Sequence, residues 1–129
     1  MSANPITVLF VALFELMHVP LTMAVGLRRA QTGIQFLDGG DQTLLRRMRA
    51  QGNFAENVPI ALLAMAAAEV TGAPAWALWT GGACILAGRL LHATTIITRG
   101  WGLARANGML LTLTPTACFA LWTLWRSIA

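Results

Sequence analysis

The sequence predicts an all-α integral membrane protein, a bundle of four helices that run up and down in turn. Of its 129 residues, 57% are hydrophobic and only 11% are charged, whereas a soluble domain carries about 25% charged residues. The apolar residues form four long stretches separated by short segments rich in glycine, proline and polar residues. Backbone groups surrounded by lipid must find hydrogen bonds within their own segment, so we expect each stretch to be a helix.

Each stretch is long enough to cross a bilayer, which takes about 20 mostly apolar residues. The predicted spans cover about residues 5–27, 43–71, 75–97 and 106–125. The second helix is expected to begin near Asp41 or Thr43, because a short polar side chain can cap a helix. Short connections make consecutive helices antiparallel, and a chain of this length forms a single domain.

The positive side chains are unevenly distributed between the two ends of the predicted bundle. All nine basic residues are arginines, against five acids, which gives a formal charge of +4. Those in or beside the first and third connections are Arg28, Arg29, Arg46, Arg47, Arg49, Arg99 and Arg105. The opposite end offers only Arg126. Because cytoplasmic loops are enriched in basic residues, we expect these two connections in the cytoplasm and both termini on the other side.

The positions of the arginines also indicate which partners the protein would bind. The arginines lie between and beside apolar stretches, where they would meet anionic lipid headgroups or a small anionic ligand, so no nucleic-acid partner is predicted. The sequence also lacks the motifs of catalytic triads, phosphate-binding loops and metal-ligand clusters, so no metal site is predicted. Cys84 and Cys118 lie within apolar stretches and are interpreted as packing residues. Glu69, near a span end, is expected to be solvated.

The second helix carries the most informative polar residues. Arg49, Asn53 and Glu56 are spaced by four and then three residues, which places them on one helix face. A cation, an amide and a carboxylate in a row offer matching groups for a zwitterionic ligand. The spacing also allows a structural alternative, in which Arg49 and Glu56 neutralise each other or partners on neighbouring helices.

Other ionisable residues in or near the spans also require an explanation, because charge at membrane depth is costly. Arg89 and His92 lie one turn apart in the third span, where the histidine could bind a ligand or hydrogen-bond a neighbouring helix. Arg105 begins the fourth helix and could simply anchor it at the cytoplasmic interface. Glu15 and His18 lie one turn apart in the first span and are expected to satisfy each other or another helix.

At this point a family resemblance can be recognised. The segment RRMRAQGNFAENVPIALL, followed further along the chain by GRLLHA, resembles bacterial members of the MAPEG family, the membrane-associated proteins in eicosanoid and glutathione metabolism. The likeness covers nearly the whole chain. It implies a homotrimer in the bacterial inner membrane, with glutathione bound between adjacent subunits near the cytoplasmic face. With the orientation expected from the arginines, the termini then lie in the periplasm.

The resemblance also implies roles for particular residues. The glutathione-binding positions are Arg49, Asn53, Glu56, His92 and, beside it, Arg89. Arg105 matches the arginine that stabilises the glutathione thiolate, and it is therefore the predicted catalytic residue. The chemistry is consistent, since arginines bind carboxylates well and a nearby cation lowers the pKa of a thiol. The protein would act as a transferase or peroxidase on a lipophilic electrophile that enters from the bilayer.

One departure from the family keeps two alternatives open. The chain contains no tyrosine, whereas many family enzymes place tyrosines around the thiol. Threonines follow His92 instead, and position 109 is methionine. A non-catalytic scaffold or accessory membrane subunit is therefore one alternative. A small proton-coupled exporter using Glu15 is the other, although its polar groups should then lie near the midplane of the membrane.

Overall fold

The computed structural model describes residues 5–129, and within that range the chain forms four α-helices and no β-strand. The helices are α1 (Ile6–Thr32), α2 (Gln42–Val70), α3 (Ala75–Thr98) and α4 (Leu103–Ile128). The predicted all-α architecture is confirmed. The helices extend past the apolar stretches at several ends, because polar residues such as Arg28 and Arg29 continue the helical hydrogen bonding beyond the apolar segment.

Consecutive helices are antiparallel, as contacts between their ends show. Arg47, in the first turns of α2, donates from Nη1 to the carbonyl oxygen of Ala24, in the last turns of α1, at 2.8 Å. Arg46, also in the first turns of α2, donates from Nη1 to the carbonyl oxygen of Thr98, at the end of α3, at 3.4 Å. Arg126, near the end of α4, donates from Nε to the carbonyl oxygen of Thr71, just after α2, at 3.2 Å, so α2 and α4 are parallel to each other, as they must be when each is antiparallel to α3. We call the end of the bundle with the 33–41 and 99–102 connections the arginine end, and the opposite one the tryptophan end.

The most polar helix, α2, packs against all three other helices, as α3 does, whereas α1 and α4 do not pack against each other. Its buried residues recur at helical spacing along its whole length: Leu44, Ala50, Phe54, Val58, Ala61, Met65 and Ala68. Neighbouring helices therefore cover much of α2, and this arrangement shields a helix that would be costly to expose fully to lipid.

By length and composition, α1, α3 and α4 can each cross a membrane. Helix α2 is long enough, at 29 residues, but it falls outside that group because its first half carries arginines, glutamine, asparagines and a glutamate. The structure thus supports three apolar spans. That residues 43–71 form a fourth span stays a prediction.

Two glycines set the closest approach of α3 to α4. A Cβ atom added to Gly88 would lie 2.7 Å from the carbonyl oxygen of Gly108, and one added to Gly108 would lie 2.7 Å from that of Gly88. Glycine permits this backbone contact because it has no side chain. As a result Arg89 and His92, the neighbours of Gly88 along α3, are pressed against the start of α4.

Acidic side chains organise two helix starts. Asp41 accepts from the backbone N–H of Leu44 at 2.6 Å, which confirms the predicted cap of α2. It also forms an ion pair of 2.6 Å with Arg28, and hydrogen bonding to that guanidinium holds the pKa of the Asp41 carboxyl below its ordinary value. Glu69 accepts from the N–H groups of Ile6 and Thr7. The expectation of a merely solvated Glu69 is corrected, because it caps α1.

Candidate functional site

Four of the six predicted site residues line one cavity of about 350 Å³ at the arginine end. Arg49, Asn53 and Glu56 come from α2, and Arg105 comes from the first turn of α4. The remaining lining residues are Leu37, Asp38, Leu45, Met48 and Gly52. The volume falls within the range of about 300–1,000 Å³ that is typical of small-molecule sites. The cavity is open on one side.

The α2 side of the cavity follows directly from helical periodicity. Arg49, Asn53 and Glu56 share one face of a continuous helix, as their spacing predicted. The ion pair between Arg49 and Glu56 that this spacing left open is not formed within residues 5–129, where neither side chain has a hydrogen-bond partner. Both side chains are exposed, so both charged groups are free to meet a ligand.

Arg105 reaches the cavity because of the turn before α4. Gly100 adopts a left-handed φ of 78° and the helix restarts at Leu103, so Arg105 lies in its first turn beside α2. Its side chain is half-buried, and its contact with the carbonyl oxygen of Gly100 is long, at 3.5 Å. The guanidinium therefore retains most of its capacity to donate hydrogen bonds. The structure thus brings together a cation from α4 and the polar face of α2.

The connection between α1 and α2 completes the cavity with groups that sequence reasoning missed. Nη1 of Arg29 lies within 3.0–3.1 Å of three carbonyl oxygens of this connection, those of Ile34, Gln35 and Leu37. One guanidinium thus holds the segment in a fixed shape, with Leu37 at a left-handed φ of 55°. Asp38 follows and adds a second carboxylate to the lining. The sequence signal for it was the turn-forming Asp-Gly-Gly run, which indicates a turn but not its direction.

Arg89 lies behind the cavity wall instead of in it. Only 1% of its surface is exposed, and it ties three helices together. Nε donates to Thr112 Oγ1 of α4 at 2.8 Å, and Nη1 donates to Asn53 Oδ1 of α2 at 2.7 Å. Nη2 contacts the carbonyl oxygen of Gly108 at 3.3 Å and Met109 Sδ at 3.1 Å. Its donors are therefore engaged inside the protein.

The contact between Arg89 and Asn53 determines which end of the amide faces the cavity. Arginine can only donate, so the atom that it contacts must be the carbonyl oxygen of the Asn53 side chain. The Nδ2 group of Asn53 then remains available to donate to a ligand. Through this contact Arg89 influences a cavity that it does not line.

His92 is likewise buried, with 2% of its surface exposed, and it does not line the cavity. Its Cβ packs against Gly108, where a Cβ would approach it to 2.9 Å. The sequence pattern placed Arg89 and His92 together with the other site residues, but the structure puts both in the interior where α3 meets α4. Their direct contact with a ligand stays a prediction that this arrangement does not favour.

The chain is similar to a known family of membrane proteins. The model of the MAPEG family matches residues 6–125, which is nearly the whole chain. The chain belongs to the MAPEG family. It is 33% identical over 87 residues to the inner membrane protein YecN of Escherichia coli strain K12, and equally to the protein of that name in strain CFT073. The match covers 67% of this chain and 66% of each relative's length. No solved structure matches the chain.

This MAPEG protein places no hydroxyl side chain in the cavity lining among residues 5–129. The threonines that follow His92 bond to their own helix: Thr94 Oγ1 donates to the carbonyl oxygen of Leu90, and Thr98 Oγ1 to that of Thr94, both at 2.7 Å. Met109 lines a smaller neighbouring cavity of about 200 Å³, which it shares with Arg105. Arg105 is thus the lining residue best suited to stabilise an anionic group on the α4 side.

The ionisable pair in the first span lies outside this site. His18 Nε2 hydrogen-bonds Thr22 Oγ1 at 3.2 Å, and its ring stacks on Phe54 with centroids 5.7 Å apart. Glu15 is exposed beside an outer groove between α1 and α2. Among residues 5–129, Glu15 and His18 hydrogen-bond neither each other, as one alternative expected, nor another helix, as the other did, because His18 bonds to Thr22 of its own helix. An exporter path through the bundle interior has no support from this position of Glu15.

Proposed function

We propose that this MAPEG membrane protein is a glutathione-dependent transferase or peroxidase that acts on lipophilic electrophiles. The observation that carries the proposal is the convergence of Arg49, Asn53, Glu56 and Arg105 on one cavity at the arginine end. Family membership supports the same reading, since glutathione-dependent catalysis is a property of the MAPEG family.

The cavity residues fit glutathione group by group. Glutathione carries two carboxylates, which suit the guanidinium groups of Arg49 and Arg105. Its ammonium suits the carboxylates of Glu56 and Asp38. Its amide carbonyls can accept a hydrogen bond from Nδ2 of Asn53, the donor left available by the contact between Asn53 Oδ1 and Arg89. A cavity of about 350 Å³ is large enough to hold a tripeptide in part, with the remainder at its open side.

Arg105 would perform the catalytic step. A guanidinium beside a thiol favours the thiolate, which is the nucleophilic form, because it stabilises the negative charge. Glutathione would supply the nucleophile: its thiol loses the proton to water, the thiolate sulfur bonds to an electrophilic carbon, and a leaving group departs with the electron pair of its bond. In the peroxidase reaction, two glutathione molecules would reduce a hydroperoxide to an alcohol and water and form a disulfide. The protein then needs no nucleophile of its own.

The proposed assembly is a homotrimer with the site between subunits. Arg49 and Glu56 line the cavity and are exposed in the single chain, so a second copy of the chain packed on this face of α2 would cover them. We also propose that the arginine end faces the cytoplasm and the termini the periplasm, because basic residues concentrate on the cytoplasmic side of membrane proteins.

The proposal is tested by comparing Arg105→Gln with Arg99→Gln in purified protein. Arg99 is exposed in the same connection but does not line the cavity, so it controls for lost positive charge at this end. Glutathione conjugation to chlorodinitrobenzene should fall by about 100-fold or more in R105Q, as when one stabilising donor is removed from an active site. R99Q should retain the wild-type rate. Calorimetry in detergent that detects no binding of millimolar glutathione to the intact oligomer would overturn the proposal.

A second candidate is a non-catalytic MAPEG scaffold or accessory subunit. The observation that favours it is the absence of tyrosine from the chain, together with a cavity lining that contains no hydroxyl group among the described residues. The same experiment separates the two candidates. Glutathione binding without any Arg105-dependent turnover supports the scaffold, whereas Arg105-dependent conjugation excludes it.

A further inference from the structure

A second, entirely different groove runs along the junction of α3 and α4, from the tryptophan end towards the first turns of α4. Its main part is a cavity of about 370 Å³ lined by residues that include Trp76, Cys84, Cys118, Phe119 and Trp122. A neighbouring cavity of about 410 Å³ shares Cys84 and two α4 residues with it and continues to Asn107. No charged side chain lines either cavity.

The dimensions of the groove suit an elongated ligand. From Trp122 to Asn107 it follows α4 for fifteen residue steps, which correspond to about 22 Å along a helix. The hydrocarbon core of a bilayer is about 30 Å thick, so the groove reaches from the interface past the depth of one leaflet. Both helices that form it are long and apolar enough to cross a membrane. The surrounding molecules are then lipids, whose acyl chains have this shape and chemistry.

A polar feature at the mouth of the groove points to a ligand with a hydrogen-bond acceptor. The indole Nε1 of Trp122 is buried and has no hydrogen-bond partner among residues 5–129. Buried donors are almost always paired, since leaving one unpaired costs free energy. Trp122 lines the groove, so a rotation of the indole that turns Nε1 into the groove lets an acceptor on a bound molecule satisfy this N–H. A plain hydrocarbon could not do so, but the ester carbonyl of a lipid can.

A cation stands one helical turn beyond this donor. Arg126 follows Trp122 by four residues and so lies on the same face of α4. Its side chain is exposed, with Nε on the carbonyl oxygen of Thr71 at 3.2 Å and the guanidinium 5.8 Å from the ring centroid of Trp125. Its terminal nitrogens remain free for an anionic group at the membrane surface. An apolar groove, a buried donor and a cation thus follow one another from the membrane interior outwards.

We propose that the α3–α4 groove binds one phospholipid, with an acyl chain along the groove, an ester carbonyl accepting from Trp122 Nε1 and the phosphate at Arg126. The groove shares no lining residue with the candidate glutathione site, and the proposal does not depend on the proposed function. A lipid held here would fill the space between α3 and α4 and reinforce the packing of α4.

Native mass spectrometry of the protein, released from mild detergent after purification from membranes, tests the proposal. The wild type should retain one phospholipid per chain. Trp122→Phe keeps the ring and removes only the N–H, so we expect retention to fall by about five-fold, the effect of one hydrogen bond. Trp79→Phe is the matched control, because Trp79 packs on Phe10 and does not line the groove. It should retain lipid like the wild type.

A second variant blocks the groove directly. Cys84 lines both parts of it and is only partly buried, so Cys84→Trp should fill the passage and abolish retention while helical content by circular dichroism stays unchanged. If C84W unfolds, W122F alone decides. Equal retention by W122F and the wild type would overturn the proposal, as would a wild type that carries no phospholipid. Efficient disulfide crosslinking of Cys118 between two copies in membranes would also overturn it, because a second chain would then cover the groove.

Discussion

Replacement of the buried Arg89 by methionine separates a structural arginine from a ligand-binding one. Methionine has a similar length but no charge and no donor. The change removes two short hydrogen bonds, those to Thr112 Oγ1 at 2.8 Å and to Asn53 Oδ1 at 2.7 Å. Because Arg89 joins α3 to both α2 and α4, we expect R89M to loosen the bundle at the arginine end.

The expected change in the free energy of unfolding follows from the two lost hydrogen bonds and from the relieved cost of burying a charge. A hydrogen bond to a charged group contributes about 1.5–3 kcal/mol, so the two bonds together contribute about 3–6 kcal/mol. Removing the guanidinium also relieves the cost of burying its charge, which can offset several kcal/mol. Asn53 Oδ1 is then left without its partner, whereas Thr112 Oγ1 still donates to the carbonyl oxygen of Gly108 at 3.0 Å. We expect a net destabilisation of about 2 kcal/mol, dominated by Asn53.

The assay is unfolding in detergent, combined with a double-mutant cycle. R89M, Thr112→Val and the double variant are compared, and the interaction between Arg89 and Thr112 should appear as a coupling free energy of about 1.5–3 kcal/mol. Glutathione binding is then measured below the unfolding transition. If Arg89 acts only through Asn53, R89M should weaken glutathione binding by about ten-fold or less, since it affects only the one neutral hydrogen bond between Asn53 and the ligand.

Two results would refute this reasoning. Stability of R89M within about 0.5 kcal/mol of the wild type, the range of an uninvolved surface change, would show that the Arg89 contacts do not hold the helices together. Loss of glutathione binding by several hundred-fold in a fully stable R89M would show that the guanidinium contacts the ligand itself, because the loss of a charge-paired contact costs about 2–5 kcal/mol.

Three further predictions concern stability. Gly88→Ala should destabilise the bundle by about 1–3 kcal/mol, because its Cβ would meet the rigid backbone of α4. Gly26→Ala is the control and should keep the wild-type stability, because its Cβ would meet nothing within 4 Å. Equal melting temperatures for the two variants would contradict the prediction. Asp41→Asn can still cap α2, but it loses the charge paired with Arg28. Because the Asp41 carboxyl has a pKa below its ordinary 3.8, the stability that its charge contributes is complete above about pH 4 and is lost as pH falls through the lowered pKa. In that pH range the melting temperature of the wild type should therefore drop more steeply than that of the variant. Glu69→Gln should cost about 1 kcal/mol in thermal unfolding, as a weakened cap of α1, and an unchanged transition would contradict it.

Much of the fold and of the site on α2 could be predicted from the sequence, because these features are local. Apolar length and composition located the four helices, and a short acid at position 41 marked the start of α2. Spacing by four and three placed Arg49, Asn53 and Glu56 on one face, because helical periodicity alone decides which residues of one helix are neighbours. Family resemblance added Arg105, and the structure brings it to the same cavity.

The remaining features depend on how separate helices cross, and no periodicity within one helix contains that information. Arg89 and Arg105 have the same side chain, yet the first bonds to two neighbouring helices and the second lines the cavity, because the Gly88–Gly108 contact buries the first. Asp38 enters the cavity only because Arg29 holds the preceding segment in a fixed shape. The sequence by itself thus determined the helices and the polar face of α2. Tertiary packing decided which charged side chains hold the helices together and which remain free for a ligand, because a buried cation needs hydrogen-bond partners and the neighbouring helices determine where those partners lie.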